Sequence, residues 1–165
     1  MQTVGQVAEL PALTVVLLNS AIWFFFYIGT ALVTSCIPYR RLNPDGQLFR
    51  ARPWEKEGVV YQEIFRVRAW KGMLPDGAAL FRQGFRKKRL KSREPEYCIR
   101  FVGETCRAEA LHWMLIAVSP LFFLWNAPLV AALMVPFGIL ANFPCVVAQR
   151  YNRPRLSRLA TRRQV

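Results

Sequence analysis

The sequence predicts an all-α integral membrane protein with three transmembrane helices, one near the amino terminus and two in a carboxy-terminal hairpin. No Asp, Glu, Lys or Arg occurs from Leu10 to Tyr39 or from Ala110 to Gln149, although the chain of 165 residues has a net charge of +13. An apolar run of about 20 residues is long enough to cross a bilayer as a helix. This separation of charged from apolar residues excludes a soluble protein that binds nucleic acid, the class that the net charge alone would suggest.

The first predicted span lies within residues 11–37 and stops shortly before Arg40. The residues that precede it contain Glu9 and no Lys or Arg, whereas a cleavable signal peptide has a cationic flank. The four residues that end at Cys36 resemble a lipoprotein cleavage sequence, but the missing basic flank favours an uncleaved helix. We therefore expect this segment to remain in the membrane as a helix.

The second apolar stretch is twice as long as one span requires, and it is interrupted at Asn126-Ala127-Pro128, where Asn and Pro favour a turn. It predicts a hairpin with spans at about residues 107–125 and 129–148. Three prolines should bend these helices and free carbonyls that need partners from neighbouring helices or from water. They are Pro120, Pro136 and Pro144.

Loop charges predict the orientation. Lys and Arg are absent before the first span and from the turn of the hairpin, whereas sixteen occur from Arg40 to Arg100 and six from Arg150 to Arg163. Basic loops stay on the cytoplasmic side, so we expect an inner-membrane protein with its amino terminus outside. The segment 40–103 and the basic tail 150–165 would then be cytoplasmic, and the whole chain would form a single membrane domain.

The central segment is predicted to be a basic amphipathic region on the membrane surface. Apolar residues recur at helical spacing from Glu57 to Lys71, which predicts one amphipathic helix that ends at the turn residues Leu74-Pro75-Asp76-Gly77. Lys and Arg are dense from Ala78 to Arg93. Each such residue near an anionic surface contributes about 1 kcal/mol of attraction, so anionic membrane lipids are the expected partners.

Three acid–base groups lie close together at the start of the second span. With 100° per residue, helical geometry places His112 between Glu104 and Glu109 on one face of the helix. A carboxylate beside an imidazole fixes its tautomer and raises its basicity, as a general base that deprotonates a hydroxyl requires. The candidate catalytic residues are therefore His112 and one or both of these carboxylates.

Two other interpretations of this segment remain open. Arg107 and Glu109 would form an ion pair at the membrane rim, with His112 bonded to a neighbouring carbonyl. Alternatively, Glu109 and His112 together with Glu104 would form half of a dimetal site, but such sites use a second Glu-x-x-His pair and the chain has one His. The four cysteines show no Cys-x-x-Cys spacing and imply neither zinc nor a disulfide. We expect no metal and no cofactor apart from the acyl donor.

A second constellation closes the last span. Three arginines within six residues, Arg150, Arg153 and Arg155, suit the phosphate of a lipid head group or of a nucleotide-bearing thioester. Asn142 lies inside the span and is expected to hydrogen-bond to another helix. By topology these residues should share a cytoplasmic pocket with the segment 104–112. The residues Trp54, Glu55, Glu57 and Tyr61 are candidates to cover it.

Several segments together resemble one enzyme family. They are Tyr61, Trp70-Lys71 with Leu74-Pro75-Asp76-Gly77, Phe81, Phe85-Arg86-Lys87-Lys88, Glu104-Thr105-x-Arg107-Ala108-Glu109-x-x-His112-Trp113, and Asn142-x-Pro144-Cys145-x-x-x-Gln149-Arg150-Tyr151-Asn152-Arg153-x-Arg155-Leu156. This combination resembles the glycosyl-4,4'-diaponeurosporenoate acyltransferases, small membrane enzymes of staphyloxanthin-type carotenoid synthesis, over roughly residues 50–156.

The resemblance implies transfer of a fatty acyl group to a sugar hydroxyl of a glycosylated carotenoid or a similar glycolipid. The expected donor is acyl-CoA or another activated acyl lipid. The candidate substrate-binding residues are Arg107, Asn142, Gln149, Arg150, Asn152, Arg153, Tyr61 and Lys71. The alternative is a non-catalytic accessory subunit that binds lipid or pigment together with partner proteins in a membrane complex.

Overall fold

The computed structural model describes residues 10–74, 90–92 and 94–161, and every regular element in these residues is helical. The five α-helices are α1 (Ala12–Cys36), α2 (Val59–Phe65), α3 (Val67–Trp70), α4 (Pro95–Val118) and α5 (Pro128–Thr161). Short 3-10 segments occupy Tyr39–Arg41, Pro53–Gly58, Lys71–Met73 and Ser119–Leu124. In the described part, three helical segments are long and apolar enough to cross a membrane: α1, α4 with the 3-10 segment that follows it, and α5. The predictions of an all-α fold and of three such helices are confirmed.

Prolines set several helix ends. Both α4 and α5 begin at a proline. Proline is favourable there because N–H groups in the first turn of a helix have no intrahelical acceptor, so its lack of an N–H costs no hydrogen bond. The α-helical part of α4 stops at Val118, two residues before Pro120, and continues as a 3-10 segment. Pro136, Pro144 and Pro154 instead lie inside α5, which runs on through the basic residues after residue 148.

The prediction of a single amphipathic helix from Glu57 to Lys71 is wrong, because two short helices, α2 and α3, occupy this segment. Arg66, with φ of 48°, separates α2 from α3. Gly58, with φ of 87°, precedes α2, and a Cβ atom there would lie 3.2 Å from the carbonyl oxygen of Tyr151 on α5. Contact with α5 thus determines where the chain breaks, a constraint that local periodicity does not contain.

Part of the predicted basic region lies outside the described residues. The turn residues Pro75-Asp76-Gly77 and the motif residues Phe81 and Phe85-Arg86-Lys87-Lys88 lie outside the described residues, as does most of the basic run from Ala78 to Arg93. The amphipathic character of that run stays a prediction.

Contacts divide the chain into two units. The first contains α1 and residues 110–144, and the second contains residues 37–109 and 145–165, so the division crosses α4 and α5. The first unit has an aromatic core in which Trp23 stacks on Phe122 at 4.9 Å and Phe122 contacts Trp125 at 5.0 Å. Beside it, the buried amides of Asn19 and Asn126 exchange two hydrogen bonds of 2.8 and 3.0 Å.

The second unit packs α2 and α3 against the carboxy-terminal half of α5. Tyr61 and Val67 are buried against Val147, Ala148 and Tyr151. A smaller group of Phe101, Val102 and Leu156 joins α4 to the last turns of α5. These contacts position the charged residues of the second unit.

Candidate functional site

Four charged residues form a buried ion cluster in the second unit: Glu55, Glu109, Arg150 and Arg153. Glu109 is fully buried, and its Oε1 accepts a hydrogen bond of 2.7 Å from Nε of Arg150 while its Oε2 accepts one from Nη2 of Arg153. Glu55 accepts a bond of 2.7 Å from Nη1 of Arg150. Two carboxylates and two guanidiniums balance one another, as burial of charge requires.

The guanidinium groups of the cluster also bind the backbone. Nη2 of Arg150 donates to the carbonyl of Leu48 at 2.7 Å, and Nη1 of Arg153 donates to the carbonyl of Phe49 at 2.6 Å. Nε of Arg153 donates to the hydroxyl of Thr105 on α4. The two arginines thereby join α4, α5 and the segment before α2.

A cavity of about 220 Å³ lies beside the buried ion cluster. All its lining residues belong to the second unit, and beyond the cluster they include the charged side chains of Asp45, Glu57 and Arg158. Glu57 and Arg158 form an ion pair of exposed side chains. The cavity is thus bounded by charges that are largely paired with one another.

Arg107 pairs with Glu104 rather than with the Glu109 of the rim interpretation. Nη1 of Arg107 lies 2.5 Å from Oε1 of Glu104, one turn earlier on α4, and its Nη2 donates to the carbonyl of Ile37 at 2.7 Å. Ile37 and Arg107 both belong to the second unit, so Arg107 binds its backbone there.

His112 lies in the first unit, and Asn142 on α5 is its neighbour. Nδ1 of His112 is 2.9 Å from Oδ1 of Asn142, and Nδ2 of Asn142 donates to the carbonyl of Gly138 at 2.9 Å. The predicted bond from Asn142 to another helix is confirmed. The carboxylate partner predicted for His112 stays a prediction based on helical spacing.

The hydrogen bonds of Asn142 determine the tautomer of His112. The carbonyl of Gly138 can only accept, so the amide nitrogen of Asn142 must face it and the amide oxygen must face His112. Because that oxygen also only accepts, Nδ1 of His112 must carry the proton. The neutral ring then has its lone pair on Nε2, the arrangement of a base.

Three further predicted site residues lie in the second unit. Nζ of Lys71 donates to Oδ1 of Asn152 at 2.8 Å, so these two are brought together. Oε1 of Gln149 is a buried atom that has no hydrogen-bond partner among the residues the structure describes. Sequence reasoning selected Arg155 as a candidate for a phosphate contact but did not select Thr105 or Arg68, and no spacing signal separates Arg68 from arginines that only set topology.

Tyr61 completes the predicted set and lies buried against α5. Burial, followed by the charge of the Glu55 carboxylate, raises the pKa of Tyr61 to about 12 from the usual 10.0. The phenol is therefore neutral at physiological pH.

This shift predicts a loss of stability in alkali. Between about pH 10 and pH 12 the phenol of Tyr61 ionises in the unfolded chain but stays protonated in the folded one, so the folded state becomes less favourable as pH rises. The thermal midpoint of Tyr61→Phe in detergent should fall less steeply across this interval than that of the unaltered protein. Equal slopes would contradict the assignment.

The described part of the protein is helical, and three of its helical segments are long and apolar enough to cross a membrane. It carries two polar sites: the pair of His112 with Asn142, and the buried ion cluster. A family model described as glycosyl-4,4'-diaponeurosporenoate acyltransferase matches residues 45–162. This chain belongs to the glycosyl-4,4'-diaponeurosporenoate acyltransferase family, as the sequence predicted.

Curated relatives support the same assignment. Two proteins of Staphylococcus aureus, from strains bovine RF122 / ET3-1 and USA300, are each 30% identical over 141 residues, which is 85% of this chain and 84% of theirs. Both are named glycosyl-4,4'-diaponeurosporenoate acyltransferase. No solved structure matches the chain. Within residues 10–74, 90–92 and 94–161, no group of three or more His, Cys, Asp or Glu side chains could hold a metal ion.

Proposed function

We propose that this protein transfers a fatty acyl group from an activated donor to a sugar hydroxyl of a glycosylated carotenoid or a similar glycolipid. Membership of an acyltransferase family supports the reaction class. The observation that carries the mechanism is the hydrogen bond between His112 and Asn142, because it leaves the lone pair of the neutral imidazole on Nε2.

In the proposed reaction, Nε2 of His112 takes the proton of the sugar hydroxyl while the hydroxyl oxygen attacks the acyl carbonyl carbon. A carbon–oxygen bond forms, and the carbonyl oxygen becomes a transient oxyanion. When the oxyanion collapses, the bond to the leaving group breaks. For a thioester donor, the departing thiolate takes the proton from the imidazolium, which restores the neutral base.

The remaining site residues have supporting roles in this proposal. Glu104 and Glu109 share the helix face of His112 by spacing along α4, and they are proposed to influence its basicity. For Arg107, Arg150 and Arg153 the described bonds go to protein groups, which favours a positioning role over direct contact with the donor.

The membrane environment follows from the substrates. A fatty acyl donor and a glycosylated carotenoid are both amphiphilic, so we propose that the three apolar helices cross the membrane and meet both substrates there. We propose an orientation with the amino terminus outside and residues 40–103 and the tail in the cytoplasm, and the positive-inside bias of the loops supports it. Anionic lipids are the proposed neighbours of the basic segments.

A second candidate function is that of an accessory subunit that binds lipid or pigment. The aromatic side chains of α1 favour it, since Phe24 and Phe25 are 67% and 71% exposed. Large exposed apolar side chains are typical of contact with lipid or with a partner. Such a subunit would bind the carotenoid without modifying it.

Mass spectrometry of lipid extracts tests the proposed reaction. Cells that make a glycosylated carotenoid should contain a new ester, heavier by one fatty acyl group, only when they also make this protein. Membrane fractions must show the protein at equal abundance in every producing strain. If no ester forms despite insertion, the proposed transfer to that acceptor is wrong, and a stable co-purifying protein would favour the accessory function.

A further inference from the structure

Three cationic side chains surround one buried aromatic ring in the second unit. The guanidinium carbon of Arg155 lies 3.7 Å from the ring centroid of Tyr151, and Nζ of Lys71 lies 4.9 Å from it. Nε of Arg68 donates to the phenolic oxygen of the same tyrosine at 2.8 Å. We call Arg68, Lys71 and Arg155 the Tyr151 cation cluster.

No carboxylate balances these charges within the described residues. The ion pairs found there involve Arg107, Arg150, Arg153 and Arg158, and none involves the Tyr151 cation cluster. Burial lowers the pKa of Lys71 from its usual value, and Arg155 and Arg68 lower it further. The cluster therefore contrasts with the buried ion cluster, where each guanidinium has a carboxylate.

The Tyr151 cation cluster is held in a fixed geometry. Tyr151 is itself buried, Asn152 accepts a bond from Lys71, and Nη1 of Arg155 donates to the carbonyl of Tyr151. Arg68 is exposed, while Lys71 and Arg155 are half-buried, so solvent reaches the group. In the described bonds the Nη groups of Arg68 are not used, and paired N–H groups of this kind bind two oxygens of one phosphate.

We propose that the Tyr151 cation cluster binds a phosphate group of the acyl donor. A phosphate would supply the negative charge that the described residues do not place at the cluster, and it would be recognised by charge-assisted hydrogen bonds from two guanidiniums and an ammonium. Two sources share this chemistry: the phosphates of coenzyme A in a thioester donor and the head group of an anionic phospholipid donor. The role of the ligand as donor rests on the proposed acyl transfer, whereas the binding site does not.

Binding can be measured without catalysis. The purified protein in nanodiscs of phosphatidylcholine is titrated with coenzyme A, which carries no acyl group, and its thermal midpoint is recorded. In a second arm, phosphatidylglycerol replaces part of the lipid and no coenzyme A is added. We expect one of the two phosphate sources to raise the midpoint, and the arm that responds identifies the source.

Variants connect the response to the cluster. Arg68→Gln and Lys71→Gln each remove one charge-assisted contact. Each should raise the dissociation constant of the responding ligand about 10-fold or more. Arg158→Gln is the matched control, since Arg158 lies on α5 with Arg155 and Tyr151 but pairs with Glu57. This variant should change the affinity less than about 3-fold. Added salt should weaken binding of the ligand to the unaltered protein, and it should weaken binding to Arg68→Gln by a smaller factor.

Two results would overturn the phosphate site: no response to either source, or an equal loss of affinity in Arg68→Gln and Arg158→Gln. Failure of the proposed acyl transfer gives a different pattern. In that case phosphate binding and its loss in Arg68→Gln persist while no carotenoid ester forms in cells.

Discussion

Replacement of Glu109 by glutamine is expected to lower the free energy of unfolding by about 3–5 kcal/mol. Glu109 is fully buried and accepts hydrogen bonds from both Arg150 and Arg153. A glutamine has almost the same shape but no charge, and its NH2 group would face a guanidinium donor. Arg153 would then remain buried without the carboxylate that now faces it. An uncompensated buried charge lowers the stability of the folded state.

A thermal unfolding measurement in detergent tests this expectation, and the midpoint should fall by on the order of 10 °C. Glu57→Gln is the matched control, because it removes the same charge from an ion pair whose side chains are 65% and 53% exposed. An exposed pair contributes about 0–1 kcal/mol, so this variant should unfold near the original midpoint. Equal shifts in the two variants would contradict the structural role of the buried ion cluster.

A double variant separates the effect of an unpaired charge from that of lost packing. Arg153→Met removes the cation that Glu109→Gln leaves unbalanced and keeps a long apolar side chain. We expect the two substitutions together to cost less than the sum of their separate effects, since residues in direct contact are coupled. Strict additivity would mean that the two side chains do not interact in the folded protein.

Replacement of His112 by alanine should lower the rate of acyl transfer by about 10²–10⁴-fold, the range in which a positioned general base contributes. The reason is the tautomer that Asn142 imposes, which leaves Nε2 as the basic atom. The measurement is formation of the carotenoid ester in membranes that contain equal amounts of inserted protein. Activity within a few-fold of the original would refute the role of His112.

Asn142→Asp examines the same role through pH dependence. An aspartate in place of the amide stabilises the imidazolium, so the acidic limb of the pH–rate profile should move to higher pH. Asn126→Ala is the matched control in the same unit. It breaks the buried amide pair with Asn19, so it should lower stability and leave the profile in place. A profile that is unchanged in Asn142→Asp would contradict the contact between Asn142 and a catalytic His112.

The sequence was most informative about the apolar helices. Long segments without charged residues predicted three helices able to span a membrane, and the prolines at residues 95 and 128 are typical first residues of a helix. It was least informative about α2 and α3, where helical spacing predicted one helix. The backbone turns at Arg66 because Tyr61 and Val67 must both pack against α5.

For the candidate site too, the sequence identified some residues but not the contacts that they make. Spacing along one helix selected Glu104, Glu109 and His112, and a polar residue in an apolar span selected Asn142. Helical spacing could not show that Glu109 binds Arg150 and Arg153, which lie 41 and 44 residues later in the chain. The sequence selected Arg155 as a phosphate candidate but could not show that its guanidinium carbon lies 3.7 Å from the ring centroid of Tyr151.

By itself, the sequence determined the helical class, the three apolar segments, the positions of the basic segments and the family resemblance. These properties depend on composition and on spacing within one element, which a linear pattern contains. Only the tertiary structure decided which charges neutralise each other and which have no carboxylate nearby among the described residues. The reason is that an ion pair depends on the distance between groups far apart in the chain, such as Glu55 and Arg150, separated by 95 residues and joined at 2.7 Å.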